Sequence, residues 1–188
     1  IYTVGANYRS PGETPAERPA RPLIYGKSPG AVGGHGTILG WDRSVTDNVD
    51  AEVELGVVIG MPGREISPGA ALDHVFGYAC GLDMTRRDLQ AAAKDKQRPW
   101  DLGKDVEQSA VLGDIAPAAE IGHPDKGRIE LRVNGQTRQS SDVSLLIHGV
   151  AAVIAHLSQY YHLQPGDLIY TGTPEGVGPV KPGDRLEG

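Results

Sequence analysis

The stretch that decides the fold is Glu52-Val53-Glu54-Leu55-Gly56-Val57-Val58-Ile59. Val53, Leu55, Val57 and Ile59 recur at every second position, the period of a β-strand with one apolar face. The opposite face opens with Glu52 and Glu54, which a strand projects from the same side. Two ionised carboxylates at that range repel unless a cation sits between them. An oxygen-only ligand set selects a hard ion such as Mg²⁺, Mn²⁺ or Ca²⁺. The alternative is a solvated outer face on a half-exposed strand, where paired acids need no ion.

Outward from this strand, Ser67-Pro68 reads as the start of a short helix running to about residue 74, with Ser as cap and Pro at the first position. Residues 75–84 read as a buried strand that ends at Asp83. A carboxylate there either points into a cleft or caps the next helix, expected over residues 86–94. Asn134-Gly135 between two β-rich runs is the signature of a hairpin with a type I′ turn. Ser141 and Asp142 are expected to begin the longest helix, with Leu145, Leu146, Val150, Val153, Ile154 and Leu157 at helical spacing. Leu168-Ile169-Tyr170 is a strand entering the turn Thr171-Gly172-Thr173-Pro174-Glu175-Gly176. Upstream, Leu23-Ile24-Tyr25 is a short strand leading to Lys27 and a Gly-rich turn region through Gly40. The region around Gly30 to Gly36 lacks the Lys-Ser/Thr ending of a phosphate loop. Pro11, Pro15 and Pro19 exclude regular structure from residues 9–19, and so long a loop is functional or disordered.

The composition agrees with a β-rich chain of one domain, residues 1–188. Its 26 Gly and 14 Pro imply many turns and short elements. A net charge of −6 with no basic run excludes a nucleic-acid binder. No apolar run is long enough for a transmembrane helix. Cys80 is the only cysteine, expected to be a small buried residue, and a chain without disulfides fits the cytoplasm. Both ends read as strands cut partway, so the domain is expected to be truncated at each. The histidines read as packing or surface residues; His148 and His156 lack a third ligand for zinc.

Several blocks, in order, resemble the fumarylacetoacetate hydrolase superfamily. They are Val4-Gly5-Ala6-Asn7-Tyr8 with Lys27; Asp50 to Gly60; Gly77 to Gln90; Trp100-Asp101-Leu102-Gly103-Lys104; and Tyr170 to Gly178 with Pro182-Gly183-Asp184. The pattern is most similar to small acylpyruvate hydrolases and oxaloacetate decarboxylases. The resemblance implies an α+β class, mostly β, with a mixed sheet rolled around a metal, a few short helices and a homodimer. It implies Mg²⁺ or Mn²⁺ on Glu52, Glu54 and Asp83, and a 2-oxo or β-diketo acid substrate chelated through adjacent carboxylate and keto oxygens. Lys104 would neutralise or protonate the developing enolate. Gln90 and Thr173 would hydrogen-bond substrate oxygens, Lys27 or Arg9 would pair with its carboxylate, and Arg87 would brace the Asp83 loop.

The match departs from the family at one place. Hydrolytic members carry a His and a Glu a few residues apart in the loop after Asn-Tyr, activating the attacking water. Here that loop is Arg9-Ser10-Pro11-Gly12-Glu13-Thr14-Pro15-Ala16-Glu17, without histidine. Either Glu13 or Glu17 replaces the base and hydrolysis is kept, or the enzyme is an isomerase or decarboxylase, or the lid is incomplete in this chain. A fourth alternative is a family member that binds metal and oxo acid without turnover.

Overall fold

A computed structural model describes residues 1–10, 12, 14 and 19–188. The strands follow the chain as β1 (Tyr2–Gly5), β2 (Leu23–Gly26), β3 (Val32–Gly33), β4 (Val49–Ala51), β5 (Val53–Ile59), β6 (Val75–Asp83), β7 (Thr85–Arg86), β8 (Ala110–Leu112) and β9 (Ala116–Pro117). They continue as β10 (Arg128–Val133), β11 (Gln136–Asp142), β12 (Leu168–Tyr170), β13 (Gly178–Val180) and β14 (Leu186–Glu187). Among the described residues the α-helices are short: α1 (Arg87–Asp95), α2 (Asp101–Lys104), α3 (Ala118–Ile121) and α4 (Val150–Tyr160). The class is the expected one, mostly strand with few helices.

One sheet runs β2-β1-β12-β5-β6-β8-β3, with β9 also pairing on β6. Two three-stranded sheets, β11-β10-β14 and β13-β4-β7, complete the roll. β5 lies at the centre between β12 and β6, antiparallel to both. Its central place explains a departure from the sequence reading: both faces of β5 are covered, not one. Val53 and Val57 are fully buried on one side, and Glu54 and Val58 are buried on the other.

Val153, Ile154 and Leu157 of α4 pack with Val4, Val57, Ile59 and Ile169 into one core. Each such fully buried aliphatic stabilises the fold by about 1.5–3 kcal/mol. A second core holds Val49, Ala51, Val53, Met84, Ile129 and Leu131, among residues that neighbour the acids in sequence.

Two helices differ from expectation. The longest begins at Val150, not at Ser141, because β11 continues to Asp142 and Asp142 caps only a single 3₁₀ turn, accepting from Ser144 N at 2.9 Å. Asn7 then holds the chain extended: Ile147 N donates to its carbonyl at 2.8 Å and His148 N to its Oδ1 at 2.8 Å. After Ser67-Pro68 the chain makes turns, and only Ala71–His74 form a 3₁₀ helix. The Asn134-Gly135 hairpin is as expected, with φ of 52° and 76°, both in the left-handed region a type I′ turn requires.

Candidate metal centre

The acids converge because β5 and β6 pair antiparallel and end together. Glu54 lies opposite Gly81 and Val53 opposite Leu82, and Asp83 N donates to Glu52 O at 2.9 Å. Glu52 just before β5, Glu54 on it and Asp83, the last residue of β6, therefore share one face. Gly81 is required beneath them, since a Cβ there would lie 2.5 Å from the Tyr170 ring. One carboxylate oxygen from each of Glu52, Glu54 and Asp83 lies within 4.8 Å of the others, and all three residues are buried. The solvated outer face and the helix-cap reading of Asp83 are thereby excluded.

Cations surround the trio. The Lys104 ammonium donates to Glu52 Oε2 at 2.8 Å, Asp83 Oδ2 at 2.9 Å and Thr85 Oγ1 at 2.6 Å, using all three of its protons. Lys27, also buried, lies 2.8 Å from Asp83 Oδ1 and 2.8 Å from Ser109 Oγ, and donates to the Lys104 carbonyl. Tyr25 OH donates to Asp83 Oδ2 at 2.6 Å. Arg87 pairs with Asp50 at 2.7 Å and with Glu52, and donates to Gln90. It braces Glu52 and the β4 strand rather than the Asp83 loop.

This arrangement sets the protonation of each group. Burial alone would raise Asp83, but Lys104 and Lys27 outweigh it and hold the carboxyl below its usual range. Burial would lower Lys104, but Asp83 and Glu52 outweigh it and hold the ammonium charged. Glu54 differs. Burial, then the charges of Asp83 and Glu52, push its carboxyl well above the usual range, and its Oε2 accepts only a backbone hydrogen bond, from Gly172 N at 2.6 Å. Among the described residues no cation forms an ion pair with Glu54. Four carboxylates, Asp50, Glu52, Glu54 and Asp83, thus face three cations, Lys27, Lys104 and Arg87. A hard divalent ion fits this donor set: the ligands are all oxygen, and the deficit of positive charge is at Glu54.

Turns and helices complete the setting. Gly172 sits at φ +102°, and a Cβ there would lie 2.8 Å from Asn7, so only glycine brings this amide to Glu54. Gln90 of α1 is 3% exposed, directed to Arg87. Thr173 Oγ1 accepts from Gln139 Nε2 at 2.8 Å. Arg9 is exposed and spends its guanidinium on the carbonyls of Ser144 and Leu145. Glu13 and Glu17 lie outside the described residues.

Gln139 was not evident from sequence. It is 1% exposed, accepts from Val53 N at 2.9 Å and donates to both Thr173 Oγ1 and Pro174 O at 2.8 Å. It thus ties the backbone between Glu52 and Glu54 to the Thr173 turn. Tyr25 was likewise read only as a strand residue; a lone tyrosine on a short strand carries no signal of its partner.

Cys80 corrects an expectation: it is exposed, on the side of β6 that borders a cavity of about 450 Å³ with Arg128, Glu130 and Arg132. Of the acid trio only Glu54 lines that cavity. A second cleft, about 300 Å³, is lined by Tyr25 and Lys104, both bonded to Asp83.

Residues 1–188 match the family described as fumarylacetoacetate (FAA) hydrolase C-terminal. The chain is 56% identical over 143 residues to fumarylpyruvate hydrolase of Ralstonia sp, covering 76% of this chain and 74% of that protein. It is 37% identical over 188 residues to the mitochondrial oxaloacetate tautomerase FAHD1 of Bos taurus, covering 100% of this chain and 85% of that one. The crystal structure of fumarylpyruvate hydrolase from Pseudomonas aeruginosa, in complex with Mn²⁺ and pyruvate, superposes with a TM-score of 0.90 at 42% identity. That match covers 98% of this chain and 82% of the other.

Proposed function

Because the chain belongs to the fumarylacetoacetate hydrolase family, whose relatives here are enzymes, we propose that it hydrolyses a C–C bond of an acylpyruvate, fumarylpyruvate being the substrate to test first. The observation carrying this reading is the buried Glu52–Glu54–Asp83 trio with the Lys104 ammonium on two of its members. Those three carboxylates would hold Mg²⁺ or Mn²⁺; bound there, the ion supplies Lewis-acid polarisation of a chelated 2-oxo group.

The protein's own groups supply the proton handling. Lys104 keeps its proton between Glu52 and Asp83, so its role is that of a donor, not a base. Hydrolysis adds water to the acyl carbonyl, breaks the bond to the pyruvate methylene and returns a proton to that carbon from Lys104. Fumarylpyruvate plus water thereby gives fumarate plus pyruvate. Gln90 and Thr173 are proposed to orient substrate oxygens, and Arg9 or Lys27 to pair with the carboxylate of the 2-oxo acid. Lys27 serves only if it leaves Asp83, on which it is fully buried. Glu13 or Glu17 is the proposed base for water. The enzyme is further proposed to be a cytoplasmic homodimer; among the described residues no helix is long and apolar enough to cross a membrane.

A second reading is keto–enol tautomerisation or decarboxylation of a 2-oxo acid. It is favoured by the absence of histidine from residues 9–17, since these reactions need a proton donor but no activated water. With Mn²⁺ added, fumarylpyruvate, acetylpyruvate and oxaloacetate are followed by ultraviolet absorbance and products by chromatography. Equal release of fumarate and pyruvate supports the hydrolase. Accelerated enol–keto exchange or CO₂ release from oxaloacetate, with no fumarate released from fumarylpyruvate, supports the second reading. Turnover of none of them, with metal bound, leaves a binder.

A further inference from the structure

We propose that the 300 Å³ cleft beside Tyr25 and Lys104 is a subsite for the far end of the substrate, and that Arg98 selects substrates ending in a second carboxylate. The inference rests on the acid trio as the place where the 2-oxo group is held.

The cleft and the trio meet at two side chains. Tyr25 and Lys104 line the cleft, and both donate to Asp83 Oδ2, at 2.6 and 2.9 Å. These two shared side chains are the reason the substrate tail is placed in this cleft. The Tyr25 and Trp100 rings pack on each other in the cleft wall, 5.5 Å apart between centroids and inclined by 56°, with Leu23 and Ile24 also lining it. Lys94 sits 4.7 Å from the Trp100 ring centroid and helps hold that ring in place.

Arg98 supplies the charge. Its backbone N–H donates to Ala93 O at 2.9 Å, fixing it where the chain leaves α1. Like several other arginines, Arg98 forms no ion pair among the described residues, but it alone of these lines this cleft. A cation without an ion-pair partner on the wall of a cleft that shares Tyr25 and Lys104 with the carboxylate centre is placed for a ligand anion. The guanidinium fork matches a carboxylate in two parallel hydrogen bonds, which an ammonium does not reproduce. Asp101 also lines the cleft, so the ligand carboxylate is directed to the Arg98 side and not along the whole wall.

The test uses two probes of equal chain length, 2-oxoadipate and 2-oxohexanoate, titrated by calorimetry into the full chain with saturating Mn²⁺. They differ only in the terminal carboxylate. The native protein is expected to bind 2-oxoadipate at least tenfold more tightly, about 1.4 kcal/mol. Arg98→Ala should remove that preference by weakening 2-oxoadipate, while 2-oxohexanoate changes by less than threefold; Arg98→Lys should restore part of it. Arg98 is exposed, so an unchanged thermal midpoint is expected for both variants. Equal affinity of the native protein for the two acids, or a preference that survives Arg98→Ala, overturns the subsite while leaving the metal-centre reading intact. Binding of neither acid overturns that reading and the subsite with it.

Discussion

Replacing Gln139 by leucine should damage stability and metal binding together. Its amide makes three hydrogen bonds, to Val53 N at 2.9 Å and to Thr173 Oγ1 and Pro174 O at 2.8 Å. Leucine preserves volume but satisfies none of them. Val53 is fully buried, so its orphaned N–H costs about 1–3 kcal/mol, and the two lost donor bonds cost roughly 0.5–1.5 kcal/mol each. The sum is about 2–6 kcal/mol, or a drop of roughly 4–24 °C in thermal midpoint for a domain of this size. Gln139→Glu keeps the acceptor for Val53 but, when ionised, donates nothing. Its buried carboxylate has a raised pKa, so the protonated form is the stabilised one and the variant should lose stability as pH rises above the ordinary glutamate range. Calorimetric melting of both variants across pH 5–8, with and without Mn²⁺, checks this. A leucine variant that melts within 2 °C of the native protein, or a glutamate variant that gains stability as pH rises, would refute the reasoning.

Three further outcomes follow from the same geometry. Glu54 has its pKa raised in the metal-free fold, so its contribution to stability is present below the unfolded pKa and lost as pH rises through the folded one. The stability of the metal-free native protein relative to Glu54→Gln should therefore fall with rising pH, and calorimetry showing the opposite slope contradicts the assignment. Lys104→Met should lower turnover by roughly 10²–10⁴-fold, the usual loss for a proton donor. It should also lower the melting point of the metal-free protein, because Glu52 and Asp83 lose their shared cation, with Mn²⁺ restoring most of the loss. Gly172→Ala should destabilise the fold by more than about 1 kcal/mol, since φ is +102° and the new methyl meets Asn7 and the Val4 carbonyl; denaturant titration with less than half that loss would be against it.

The legible parts of this chain were those where local pattern and tertiary role agree. Period-two apolar residues made β5 visible, and Asn134-Gly135 made its hairpin visible, because a type I′ turn accepts little else. Glu52 and Glu54 were visible as a pair, but their meeting with Asp83 depends on strand pairing across residues 60–74, and only the family pattern anticipated it. The start of α4 was misplaced because Asn7, about 140 residues away, captures the backbone at Ile147 and His148. Gln139 was invisible for a similar reason, being an ordinary hairpin residue until its partners at Val53 and Thr173 are known. Cys80 was expected inside because β6 is apolar, yet it faces a cavity on the open side of that strand. Two-residue strands such as β3, β7 and β14 are too short to carry any periodicity.

The most direct test of the account is an anomalous-scattering map from crystals grown with Mn²⁺. The account predicts one strong peak bonded at once to carboxylate oxygens of Glu52, Glu54 and Asp83, with Lys104 beside it, and loss of that peak in Glu52→Gln. A map with no peak among these three residues, or with Mn²⁺ bound elsewhere while Lys104 still bridges Glu52 and Asp83, would contradict it.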